Sequence, residues 1–206
     1  MRVNAQNPDP RSQSKYQVRL DWGVRGATRI AVDADIVVWL DVVPDAPTAD
    51  AAVPDDAAIA LPEGLFVRVP DDAAVLAAGL VDATAAARWI LAEQERLGRR
   101  AFIAILAAGD AEAGFAADDV LGAGAVIDAL AALGIDDTSP EAAVAAAAFG
   151  GLRRAVRHLT SASVSGRAAA AGGMSMAELH AAASLDSTRD ARVVRAGRHA
   201  GEASGV

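Results

Sequence analysis

The stretch Ile103 to Leu130, IAILAAGDAEAGFAADDVLGAGAVIDAL, decides how this chain is read. The apolar run Phe102–Leu106 predicts a strand buried on both faces, Gly109 and Gly114 break it into a turn, and Asp118-Asp119 open a helix. Strand, turn and helix in that order form the repeating unit of α/β domains, which bind ligands beyond the carboxyl ends of their parallel strands. Unpaired N–H groups at a helix start attract anions, and carboxylates beside them can hold a divalent cation. An acidic first turn is also what the helix dipole favours by itself, so the pair has a structural explanation as well as a chemical one. Adjacent helical residues point about 100° apart, so only one of the two carboxylates can face a site squarely.

Working outward, the same alternation of strand and helix recurs. Tyr16–Leu20 alternates like a strand, Val24–Ala34 has the composition of a short helix, and Asp35 to Leu40 is a second apolar run. Pro44 to Pro54 is a Pro- and Asp-rich loop, with short strands expected at Ala57–Leu61 and Leu65–Val69 around a Pro62-Glu-Gly64 turn. Asp71 is expected to cap a short helical stretch. Val81–Leu97 is a longer helix ending at Gly98. Ser139-Pro140-Glu141 supplies an N-cap, an N1 proline and an acidic first turn for a helix running toward Gly150. A further helical stretch covers Leu152–Leu159, Thr160 to Arg167 is a polar turn entering another helix, Met176–Ser184 is one more, and Ala191–Arg195 is a last strand. The expected fold is α/β, a three-layer sandwich with a mixed, largely parallel central sheet flanked by helices. Residues 15–196 are expected to form one domain between a flexible arm, 1–14, and a flexible tail, 197–206.

Composition removes several classes of function. The 206 residues carry a net charge of −8, which argues against nucleic acid or an anionic membrane as the main partner, so any anion site must be local. There is no cysteine, and hence no disulfide, thiolate metal site or cysteine nucleophile. Lys15 is the single lysine among 19 basic residues, and the chain is alanine-rich, which blurs apolar periodicity and throws weight onto the rarer residues. The polar, proline-containing N-terminus has no apolar signal-peptide core, and no apolar run reaches the roughly 20 residues that span a bilayer, so a cytoplasmic protein is expected. His158, His180 and His199 lack spaced partners for a zinc site.

Two more places join acidic or hydroxyl residues with glycine and arginine at element junctions. Asp21-Trp-Gly-Val-Arg25-Gly-Ala-Thr28 follows the first strand, where a carboxylate points into the ligand crevice and an arginine one turn on can clamp phosphate or sulfonate. Asp21 as a helix cap beside a solvated Arg25 accounts equally well for the pattern. Ser161-Ala-Ser163-Val-Ser165-Gly166-Arg167 offers hydroxyls, N–H groups at a helix start and a guanidinium, the equipment an oxyanion requires, although serine and glycine also build ordinary turns.

Taken in order, the three places resemble the 2-phosphosulfolactate phosphatase (ComB-like) family over most of Tyr16 to Arg195. Asp21 through Thr28 is similar to that family's Asp-x-x-Arg-Ala-Thr/Ser motif. Gly109, Phe115, Asp118-Asp119 and Ala123-Gly124 resemble its later Gly, Phe, Glu-Asp and Ala-Gly series. Ser163-Val-Ser-Gly-Arg167, Gly172 and Glu178 resemble its closing Ser-x-Ser-Gly-Arg turn, glycine and acidic helix. The resemblance implies a Mg²⁺-dependent phosphatase that converts 2-phosphosulfolactate, or a related small phosphorylated hydroxy acid, to sulfolactate and phosphate on the way to coenzyme M or related sulfonates. It implies Asp21, Arg25 and Asp119 as catalytic residues and Asp21, Asp118 and Asp119 as metal ligands. Ser163, Ser165, Gly166 and Arg167 would bind substrate, and a homodimer is implied from the family alone. The family's Gly-Glu-Arg and Thr-Thr-Asn-Gly-Thr segments are missing here, and Arg25 lies one residue farther from Asp21 than in the usual motif. These departures leave open a second expectation, a member that binds a small anionic metabolite or a protein partner without turnover.

Overall fold

Strands covered on both faces need apolar side chains at every position, and three segments of the chain, Ile36–Leu40, Ala74–Ala78 and Ile103–Ala107, meet that demand. The computed structural model describes residues 9–44, 61–62, 64–110 and 114–198. Strands β1 (Val18–Trp22), β2 (Ile36–Leu40), β3 (Ala74–Ala78) and β4 (Ile103–Ala107) lie parallel, and β5 (Arg192–Arg195) pairs antiparallel with β3. The sheet order is β1-β4-β2-β3-β5, so the crossover from β3 returns the chain to insert β4 between the first two strands. Helices α1 (Gly23–Ile30), α2 (Ala83–Leu97), α3 (Ala117–Ala132), α4 (Pro140–Leu152), α5 (Val156–Ala162), α6 (Val164–Ala171) and α7 (Met176–Ala182) complete the expected three-layer α/β architecture.

Strand period sorts the core into two layers. Leu20, Ile36, Val38, Leu40, Ile103 and Ile105 face α2, α3 and α4, meeting Ile90, Val126, Leu130 and Phe149. Their neighbours Val37, Trp39, Val75, Ala104 and Leu106 face the other way, onto Ala27 and Ile30 of α1 and onto Leu65 and Val69. Each fully buried Leu or Ile contributes about 1.5–3 kcal/mol, so the central strands are held chiefly by this two-sided burial. Local signals set the helix ends. Gly98 is left-handed (φ 63°) after α2, and the Ser139 side chain accepts the Ala142 N–H at the start of α4. Ser175 and Glu178 form a reciprocal capping box on α7. Among the described residues no helix is long and apolar enough to cross a membrane.

Several expectations need correction. The helical stretch expected after Asp71 is instead strand β3, whose five residues, AVLAA, are all buried. Alanine's helix preference loses there to a slot between β2 and β5, covered on both faces. The strand expected at Leu65–Val69 is a 3₁₀ turn over Phe66–Arg68, in which Arg68 N–H donates to the Leu65 carbonyl; Leu65 and Val69 are buried while Val67 is exposed. β1 runs on through Asp21 and Trp22 rather than stopping at Leu20. Of the expected arm, residues 9–14 are described and engaged: the buried Gln13 side chain donates to the Leu20 carbonyl and accepts the Leu20 N–H, taking the place of a neighbouring strand at the β1 edge. Of the expected tail, Arg198 N–H donates to the Asp72 carbonyl. Residues 45–60, with most of the expected Pro/Asp loop and all but the last residue of the expected strand Ala57–Leu61, lie outside the described residues, as do 199–206.

Candidate functional site

The carboxyl ends of β2 and β4 are adjacent, with Leu40 and Ala107 as register partners, and the first turn of α3 sits against them. Asp119 ties the three together. Its Oδ1 accepts the Val42 N–H at 2.9 Å and its Oδ2 the Gly109 N–H at 2.8 Å. Gly109 is required at this position: its φ is 74°, and a Cβ there would stand 2.7 Å from the Gly114 carbonyl oxygen. Asp119 is only 2% exposed. Burial, then the charges of Asp118 and Asp41, raise its pKa to about 8, against the opposing pull of the two backbone N–H groups.

Asp118, one residue earlier, turns toward a different partner. It is fully buried, and its Oδ1 accepts a hydrogen bond from the Ser165 hydroxyl at 3.2 Å, while its Oδ2 has no partner. Burial raises its pKa, and its own backbone N–H and the neighbouring hydroxyls of Ser163 and Ser165 partly offset the rise. Ser165 stands in the first turn of α6, and that turn is tightly built. The Ser163 hydroxyl donates to the Thr160 carbonyl at 2.8 Å and accepts the Gly166 N–H at 3.0 Å. Gly166 lets α6 press onto α5, since a Cβ there would lie 2.0 Å from the Thr160 carbonyl oxygen. The serine-rich segment therefore enters α6 as expected, but as a one-residue junction at Ser163 between two helices. Arg167 projects, exposed, from the same helix.

Asp21 has a third environment. Its carboxylate receives Arg29 Nε at 2.6 Å and Nη2 at 2.6 Å, and it also accepts the Trp22 N–H at 2.7 Å. Its arginine partner is thus Arg29, near the end of α1, rather than the expected Arg25, which is exposed. Gly26 makes the pairing feasible, because a Cβ there would come within 2.9 Å of the Asp21 Cβ and lift α1 off the strand. The pair lines a cleft of about 680 Å³ together with Trp22, Phe115, Val120 and Glu141. The Trp22 and Phe115 rings meet at 5.5 Å. Asp118, Asp119, Ser163 and Ser165 do not line this cleft. Successive residues of α3 fan around its axis: Asp118 faces α6, Asp119 the strand ends, and Val120 the cleft.

The expected substrate and metal residues are thus divided between two settings. The structure joins Asp118 to Ser165 and gathers Ser163 and Gly166 behind them, but leaves Asp21 with Arg29. The donor set does not fit a Mg²⁺ held by Asp21, Asp118 and Asp119. Both oxygens of Asp21 and of Asp119 already accept hydrogen bonds, and among the described residues no group of three or more His, Asp or Glu is placed to hold a metal ion. Arg29 was missed in the sequence because eight residues separate it from Asp21; the available signal was Gly26, which permits the helix to lie against that carboxylate. No protein-family model and no curated protein matches the chain.

Proposed function

We propose that the protein hydrolyses the phosphate ester of a small phosphorylated hydroxy acid of the 2-phosphosulfolactate type at the junction of α3 and α6. The observation that carries this reading is the buried Asp118 carboxyl, one oxygen engaged by Ser165 and the other without a partner, at the start of a helix that caps the carboxyl edge of a parallel sheet. Ligands of α/β proteins bind at that edge. A phosphate there would meet the Ser165 hydroxyl and the first-turn N–H groups of α6, with Arg167 supplying positive charge from the same helix. Arg25, exposed on α1, is the second cation proposed for the acid's remaining anionic groups. Asp119, Ser163 and Gly166 hold the scaffold. No step is assigned to Mg²⁺, and its part is left to measurement.

A second reading, a protein that binds such an anion without turnover, is favoured by the engagement of both Asp21 and Asp119, which leaves one carboxylate for chemistry. Phosphate release from phosphosulfolactate, followed with added Mg²⁺ and with chelator, separates the two. For the phosphatase, Asp118→Asn lowers kcat by about 10²-fold or more, the scale of a lost proton-transfer group. Ligand-dependent thermal stabilisation of the wild-type protein without phosphate release establishes the binder instead.

A further inference from the structure

Ser165 is better placed than a mere anion contact would need to be. Its hydroxyl is only part-buried, its hydrogen points to Oδ1 of a fully buried carboxylate, and the main chain that carries it is fixed by the Ser163 and Gly166 contacts. A hydroxyl with an adjacent base, held by packed surroundings, is the arrangement of an activated nucleophile. Asp118 meets the requirements of that base. Among the described residues it has no cationic partner, unlike Asp21 with Arg29, and it does not hold the strand-end amides, the task of Asp119. Its second oxygen is free of hydrogen bonds. The first intrahelical bond of α6 is donated by Arg167 to the Ser163 carbonyl, so the N–H groups of Val164 and Ser165 lie ahead of the helix ladder, beside the hydroxyl.

We propose that Ser165 is the nucleophile of a two-step phosphoryl transfer, with Asp118 as its general base, so that hydrolysis passes through a phosphoserine. This rests on the phosphatase reading and adds a covalent route to it. In the first step Ser165 Oγ attacks phosphorus and its proton passes to Asp118. The ester P–O bond breaks, and the departing oxygen takes that proton from Asp118 to leave as the alcohol. In the second step water attacks the phosphoserine, Asp118 receives the water proton, the P–Oγ bond breaks, and Ser165 Oγ recovers the proton. The sum is ester plus water giving alcohol plus inorganic phosphate, with no oxidant or further reactant.

The experiment is a rapid acid quench of the full chain with phosphosulfolactate, scoring sulfolactate, phosphate and the intact protein mass. The expected result is a burst of sulfolactate equal to the enzyme concentration, running ahead of phosphate, with one phosphoryl group on Ser165. Ser165→Ala abolishes the burst and lowers kcat by at least about 10³-fold, while Ser184→Ala, altering a hydroxyl that bonds Arg157 and the His180 carbonyl instead of Asp118, leaves the activity unchanged. Asp118→Asn, checked for a native circular dichroism spectrum, removes the burst while leaving substrate-dependent thermal stabilisation in place. Retained activity in Ser165→Ala overturns the covalent route and leaves the phosphatase reading standing. Absence of phosphate release from the wild-type protein overturns both.

Discussion

Asp21 at the end of β1 and the Asp118-Asp119 pair at the start of α3 occupy the same edge of the sheet and differ in what compensates their charge. Asp21 has a guanidinium against both oxygens and remains part-exposed in an open cleft. Asp119 is sealed in, with two backbone N–H groups and, among the described residues, no cation within hydrogen-bond reach, and Asp118 has one serine hydroxyl. An ion pair satisfies a carboxylate and ends its chemistry. Neutral donors in a buried setting leave it with a raised pKa and the ability to exchange a proton. The difference teaches that position at the carboxyl edge is shared by both regions, whereas reactivity is decided by the partner.

The largest effect expected from breaking this contrast is at Asp119. Replacement by alanine strands the buried Val42 N–H and the part-buried Gly109 N–H, and the two orphaned donors together cost about 3 kcal/mol, to be read from urea denaturation. The same residue supplies a pH test. Its folded pKa, about 8, lies above its ordinary value of 3.8. Between those values the native state keeps a proton that the unfolded chain has released, so unfolding sheds protons and stability declines as pH rises through that window. This is the reverse of a salt-bridged aspartate. Asp119→Asn removes this contribution to the slope; an unchanged pH profile in that variant would show that the two N–H bonds offset burial and leave Asp119 without a net shift.

Gly166→Ala probes the other half of the buried site. Its Cβ would fall 2.0 Å from the Thr160 carbonyl oxygen, so α6 must shift from α5. Overpacking of this kind costs about 2 kcal/mol, visible as a lower melting temperature. Because the shift moves Ser165 away from Asp118, phosphate release should fall more than the loss of folded protein explains. Parallel losses would mean that the junction supports the fold and nothing more.

Much of the architecture was legible because burial on both faces writes continuous apolar runs, as in Ile36–Leu40 and Ile103–Ala107, and because Ser139 and Gly98 mark helix ends by their local chemistry. β3 was not legible, since AVLAA suits a helix equally well and only the slot beside β2 makes it a strand. At the site, the segments Asp118-Asp119 and Ser163 to Arg167 could be singled out as acidic and hydroxyl-bearing helix starts. That Ser165 meets Asp118, 47 residues away, could not, because no local spacing encodes a contact between two helices. The choice of Arg29 over Arg25 depends likewise on how far α1 leans onto β1.

The smallest effect is expected at that last pair, and it sharpens the contrast most directly. Asp21 and Arg29 retain 14% and 32% side-chain exposure, so solvent screens their attraction, and a double-mutant cycle through Asp21→Asn and Arg29→Ala should return a coupling of roughly 1 kcal/mol. Asp21→Asn should leave phosphate release within about twofold of wild type, a difference of under about 0.5 kcal/mol in barrier height. Arg25→Ala in the same assay should instead raise KM, because its guanidinium is exposed and free to meet an anion. If Asp21→Asn abolishes turnover while Asp118→Asn does not, the roles assigned to the two regions are exchanged: the guanidinium of Arg29 would then be holding Asp21 in readiness rather than quenching it, and the cleft beside Trp22 and Phe115 would be where the phosphate sits.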